Sequence, residues 1–262
     1  MRFLLVLILS IAFAFTNAQD CSSHALMRKG SRLEYVTYAT GAHGNFKMAR
    51  TVFEVLQVMD SAGSRYSSIV KRGIAVNDTS DHYEKPIVLK CDGKNLLFPG
   101  NFFGADTTYL CDIYPTVKKR GYYLALTPIQ QVITNIIPLQ LDGVTKLPVG
   151  ATQVEQKLTF RNFPVSEQPE EQRLEGPLEV TERNATFIIK DIRVEGKKTI
   201  TTAAGSFTCY KVVVDSDYLM DSHPIGSKFV MYFNNEVGLV KVVSEVDDKD
   251  NKGGSVELVS VK

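Results

Sequence analysis

Asp215, Asp217, Asp221 and His223 place three carboxylates and an imidazole within a nine-residue stretch. Such oxygen and nitrogen donors hold Ca²⁺ or Zn²⁺ when a loop folds back and makes them converge. Their spacing is irregular, so an acidic loop is the plainer reading. Cys209 and His223 together offer a second chemistry, a thiolate beside a base. A cysteine paired in a disulfide has no thiolate, however, and pairing is expected here for reasons of compartment. The sequence contains no G-x-S-x-G, H-E-x-x-H or glycine-rich phosphate loop. Trp is absent altogether, which removes a common sugar-stacking platform. A carboxylate pair for glycoside hydrolysis depends on distance in the fold and leaves no mark in sequence. The expectation is a protein without catalytic residues, metal or cofactor. The rival is a metal-dependent or cysteine hydrolase built on these residues.

The compartment is read from the amino terminus. Arg2 precedes an apolar run from Phe3 to Phe15, and Thr16-Asn17-Ala18 supplies small residues where a signal peptidase cuts. Residues 1–18 therefore read as a signal peptide, too short at about 1.5 Å per residue to span a ~30 Å hydrocarbon core. Cys21 is separated from Ala18 by Gln19 and Asp20, so it lacks the position of a lipid-bearing cysteine. Nothing later in the chain is long and apolar enough to span a membrane, and a soluble periplasmic or extracellular protein is expected. Export favours disulfides among Cys21, Cys91, Cys111 and Cys209, which allow three pairings. Asn77 and Asn184 begin glycosylation sequons that matter only in a eukaryotic source.

Composition is that of an ordinary globular chain: 44% hydrophobic, 23% charged, Lys+Arg 30 against Asp+Glu 29. That balance carries no electrostatic footprint for nucleic acid. The elements that must position any site are strands. Runs rich in Val, Ile, Thr, Tyr and Phe cover Arg32–Thr40, Phe46–Asp60, Arg65–Asn77 and Tyr83–Asp92, with a short return at Asn95–Phe98. The turns between them are short, so neighbours pair antiparallel. The stretch Gly100–Arg120 reads as loop, and Thr127-Pro128 starts one short helix that ends before Pro138. Strands return at Leu178–Val194, Phe207–Asp215, Lys228–Phe233, Val237–Val246 and Ser255–Val261. The expected fold is mainly β: a curved antiparallel sheet or open barrel built from two meanders, with one short central helix. Residues 19–162 form the first meander with that helix, 163–177 an acidic loop, and 178–262 the second meander completing the same domain.

A strand with one wet face alternates apolar and polar residues, but Lys228–Phe233 is apolar on both sides, Phe229, Met231 and Phe233 against Val230 and Tyr232. The runs around Phe53 and Phe187 behave alike. Either helix and loops cover the second face or it lines a cavity for an apolar ligand. On the second reading Phe53, Val55, Phe229, Met231 and Phe233 are the lining.

Arg193-Val194-Glu195-Gly196-Lys197-Lys198, followed by Ile200-Thr201-Thr202-Ala203-Ala204-Gly205-Ser206-Phe207-Thr208-Cys209-Tyr210-Lys211, resembles a stretch of the TapB-like exported proteins of Gram-negative bacteria, a family of unknown function. Tyr232 to Lys241 resembles a second stretch of it. Ala204 stands where proline is usual there, and Tyr232 where tryptophan often lies. The resemblance implies an antiparallel β-fold exported to the envelope and supplies no catalytic residue. Gly205 before a strand and Gly238 within one read as shaping the fold, and Cys209, in phase with Phe207, as an inward staple. The function expected is a soluble envelope protein that binds a lipid or an apolar segment of a partner, or scaffolds an envelope assembly.

Overall fold

In the computed structural model the described residues are 21–41, 44–75, 82–98, 109–112, 136–138, 141–147, 153–162, 180–220, 223–246 and 254–262. The signal peptide at 1–18 and the acidic loop at 163–177 lie outside them, as does most of the expected helix. Among the described residues thirteen strands belong to one sheet: β1 Arg32–Gly41, β2 Gly44–Ser61, β3 Ser64–Ala75, β4 His82–Cys91, β5 Asn95–Leu97, β6 Tyr109–Asp112, β7 Ile136–Pro138, β8 Gln153–Asn162, β9 Val180–Thr202, β10 Gly205–Met220, β11 His223–Asn234, β12 Gly238–Val246 and β13 Gly254–Val261. Their spatial order is β6-β8-β9-β10-β11-β12-β13-β1-β2-β3-β4-β5-β7. Two meanders, β1 to β5 and β9 to β13, are thus fused by pairing of β13 with β1. All pairs are antiparallel except β6 with β8. The mainly β fold and its two meanders are as the sequence leads one to expect.

Three elements differ from expectation. Tyr109–Asp112 is strand rather than loop. Ile136, expected on a helix, begins β7 and pairs with Leu97. The third is β8, a strand where none was expected, whose sequence alternates Val154, Leu158 and Phe160 with Glu155, Lys157 and Arg161, a period-two signal.

The sheet is strongly curled, and the amino-terminal segment shows how far. Two 3-10 turns, Cys21–Ser23 and Ala25–Met27, lie against one face. Cys21 is disulfide-bonded to Cys91 on β4, while the Ala25 amide donates to the Glu236 carbonyl between β11 and β12 at 2.6 Å. Four residues reach at most about 14 Å. In a flat sheet β4 and β12 would stand five strand spacings apart, about 24 Å. The sheet must therefore wrap around the segment, which acts as a plug. Register shifts between Glu34 and Tyr35, Val55 and Gln57, Tyr210 and Val212, and Tyr232 and Phe233 insert bulges that allow this bend.

The plug completes a core with Leu33, Tyr35, Phe53, Val55, Ile69, Ile87, Leu89, Val240 and Leu258. Tyr35 and Phe53 meet edge to face, ring centres 5.7 Å apart, and the Tyr35 hydroxyl donates to the Leu239 carbonyl at 2.9 Å. Gly238 has φ +80, and a Cβ there would stand 3.2 Å from the His24 imidazole. The close approach of plug and β12 thus needs a glycine. The convex face carries ion pairs instead. Arg72 bridges Glu54 and Glu84, Arg50 pairs with Glu34, and Lys241 pairs with Glu257 at 2.6 Å. Val36, Val52 and Val70 are buried between these pairs, beneath the side-chain stems.

Candidate functional site

The concave face can be traced strand by strand through the register. Val214 lies opposite Phe229, and Val212 opposite Met231; Met231 is opposite Val242, which faces Val256, which faces Thr37. On the other side of β1, Leu33 pairs with Phe53, Phe53 with Lys71, and Lys71 with Lys85. The apolar candidates all sit in this fold as buried side chains. Phe53 and Val55 belong to the core beneath the plug. Phe229 and Met231 lie farther along the concave face of the second meander, and Phe233 is nearest the plugged end. The expected two-faced burial of β11 is present, since Val230 is also buried and Tyr232 half-buried. On β2 it fails toward the hairpin: Leu56 and Met59 are exposed on the convex side.

One strand carries a feature the sequence reading missed. Ser67, Ile69, Lys71 and Gly73 share the concave phase of β3, and Lys71 is only 1% exposed. Its burial, and secondarily the charge of Lys85, push the Lys71 ammonium down to about 7. The available signal was phase: Lys71 is in step with Ile69 and out of step with Arg72, whose guanidinium holds Glu54 and Glu84 on the other face. On β12 of the same face, Ser244 buries a hydroxyl that no hydrogen-bond partner satisfies. Small residues accompany these polar groups: Gly73 beyond Lys71 on β3, and Gly254 opposite Ser244.

Among the described residues the rival chemistry does not assemble. Asp215 accepts from Arg193, and Asp217 accepts from Lys190 at 2.6 Å, so both carboxylates are engaged by side-chain cations on the convex face. Asp221 lies outside the described residues. His223 opens β11 opposite Met220, eleven residues along β10 from Cys209, about 35 Å of strand. They cannot form a nucleophile and base. Cys209 is no staple either: it is a free, buried thiol, pushed up to about 11 by burial. Of the three possible pairings the structure shows the Cys21–Cys91 bond. The Cys111 side chain is outside what is described.

Residues 162–258 match the family model described as DUF3108-like. This segment runs from the end of β8 into β13 and contains the whole stretch from Arg193 to Lys241 on which the TapB-like resemblance rests. No curated protein matches. Two solved structures share the fold. One is a Bacteroides fragilis protein assigned to export, with a YmcC-like fold, at TM-score 0.50 and 14% identity, covering 90% of this chain and 96% of that one. The other is a Parabacteroides distasonis protein assigned as a lipoprotein, at TM-score 0.51 and 14% identity, covering 93% and 100%. Identity this low speaks for the fold alone, and the fold extends over both meanders, well beyond the family match.

Proposed function

We propose that this chain is an exported, non-catalytic envelope protein, akin to the TapB-like proteins, that holds an apolar ligand or an apolar partner segment against its concave face. The observation that carries this reading is the continuous apolar lining from Val214 and Phe229 across Val242 and Val256 to Phe53, on a sheet curled around a plug. A curved sheet whose concave side chains are apolar, with polar groups such as Lys71 and Ser244 placed singly among them, has the makeup of a small-molecule site. Three observations support export: the leader-like residues 1–18, the Cys21–Cys91 disulfide, and the export assigned to proteins of the same fold.

The experiment is mass spectrometry of organic extracts from protein purified without detergent. A lipid or other apolar molecule enriched over extracts of an unrelated exported protein is the expected result. Extracts indistinguishable from that control, together with failure of an added fluorescent fatty acid to bind, would overturn the carrier reading in favour of a scaffold.

A further inference from the structure

The two sides of the curled sheet are tied together a second time, by residues 141–147. At one side β7 pairs with β5, Pro138 opposite Asn95. Seven residues later the chain is bonded to β9: the Val194 amide donates to the Thr145 carbonyl at 2.9 Å, and the Leu147 amide to the Ile192 carbonyl at 3.2 Å. Seven residues reach at most about 25 Å, whereas in a flat sheet β7 and β9 would stand ten strand spacings apart, about 48 Å. Residues 141–147 are thus a strap across the opening of the curl. Inward, the strap continues the wall. Lys146 is opposite Arg193, which puts Leu147 in register with Ile192 and in the concave row of Ile192, Val214 and Phe229. Leu141 and Leu147 are both buried. Outward, the strap is held by side-chain ion pairs, Lys197 with Asp142 at 2.7 Å and Lys146 with Asp191 at 3.5 Å. All four side chains are a third or more exposed, so these pairs hold weakly and are screened by salt.

The joins between neighbouring elements are uneven. β13 meets β1 from Leu33 opposite Val261 to Ala39 opposite Gly254, while the strap meets β9 at the Lys146–Arg193 bridge alone. The other brief join, β4 with β5, is secured by a tight turn in which Asp92 accepts from the Lys94 and Asn95 amides, and by the disulfide at Cys91. Phe229 on the concave wall is 0% exposed, so a ligand reaches it only if the wall parts. Among the described residues the strap is where parting breaks the fewest backbone hydrogen bonds.

We propose that residues 141–147 are a latch. The strap releases from β9 as a unit while the rest of the sheet stays paired, and the seam it uncovers along Ile192–Val194 is the entrance to the concave wall for an apolar ligand. The entrance rests on the carrier reading; the latch itself does not.

The test begins with amide hydrogen exchange in the unmodified protein. The Leu147 and Val194 amides, which cross the seam, should exchange about tenfold or more faster than the amides joining β13 to β1, because they report a local opening. Asp142→Asn removes the carboxylate charge facing Lys197 and should speed those two amides by a further two- to fivefold or so, the scale of one exposed ion pair, with the β13–β1 amides unchanged. Exchange at Leu147 and Val194 within about threefold of the β13–β1 amides would overturn the latch. The entrance is tested by locking the seam. The hydrogen bonds on either side of Lys146 and Arg193 make them a non-hydrogen-bonded pair, the closer kind, which suits a disulfide. The Lys146→Cys, Arg193→Cys double variant, its cross-link verified by peptide mass spectrometry, is compared with the two single variants, which lose the same charges and carry no lock. Uptake of the fluorescent fatty acid dansyl-undecanoate should be about tenfold or more slower in the locked protein. Equal rates would refute the entrance and leave the carrier reading standing. Binding by none of the proteins, the unmodified one included, would defeat the carrier reading and the entrance with it, while the exchange rates decide the latch on their own.

Discussion

At the scale of single residues, His24 ties the plug to the acid stability of the fold. Its Nδ1 accepts the Leu26 amide hydrogen at 3.2 Å, and the ring lies against Gly238. Burial, helped by the nearby Arg28 charge, pushes the imidazole down to about 4. The unfolded chain binds a proton near the ordinary histidine value of about 6.5, so between about 6.5 and 4 the unfolded state alone is protonated. Stability is therefore full above about 6.5 and falls as the pH drops toward 4, by a total on the order of 3 kcal/mol. His24→Asn keeps a capping acceptor and does not titrate. Urea midpoints from pH 4 to 7.5 should show wild type losing stability faster than the variant below about 6.5; parallel profiles would show that His24 is not held neutral. Lys71 marks what was not legible at this scale. A lysine among valines and isoleucines reads as a surface residue in any composition count; its phase with Ile69 along β3 was the one local sign, and the register with β2 adds that it shares a face with Phe53.

At the scale of elements, the long strands were legible because short turns and β-branched runs fix them locally, and the first meander is found within two residues at most boundaries. Of the short strands only β5 was, as the return of a tight turn; β7 has three residues, too few for a period, and its pairing with β5 is a long-range event that local preference does not encode. The plug was illegible for the same reason: Cys21–Met27 is too short to show a pattern, and its burial depends on β4 and β12 reaching it from opposite sides of the curl. Its anchor is covalent. Closing 70 residues between Cys21 and Cys91 restricts the unfolded chain by about 4 kcal/mol in the chain-entropy account, with measured values more often 2–4. Reduction, or the Cys21→Ala, Cys91→Ala double variant, should lower the urea midpoint accordingly and release the amino terminus to proteolysis before the sheet unfolds. A midpoint unchanged by reductant would mean that the plug is held by its packing and the Ala25 to Glu236 hydrogen bond alone.

At the scale of the molecule, the join between the meanders decides whether the sheet behaves as one unit. The family match ends at residue 258, inside β13, yet β13 is the strand that hydrogen-bonds β1 and so couples everything C-terminal of β8 to β1–β5. The seam is continued by Arg32 and Lys262, whose backbones exchange hydrogen bonds at 2.8 and 2.9 Å. Leu258 lies at its centre, fully buried opposite Tyr35 and in the same core as Ile69 of β3 and Cys209 of β10. Leu258→Ala should cost about 2–5 kcal/mol, the range for truncating a buried leucine. The informative measurement is where that loss is felt. If the two meanders share one cooperative core, amide hydrogen exchange in β3 and in β10 accelerates by the same factor, because both report the same global opening. A loss confined to β10, with β3 protected as before, would instead make the first meander and its disulfide a separate folding unit. The concave wall that runs from Phe229 to Lys71 would then span two units free to shift against each other.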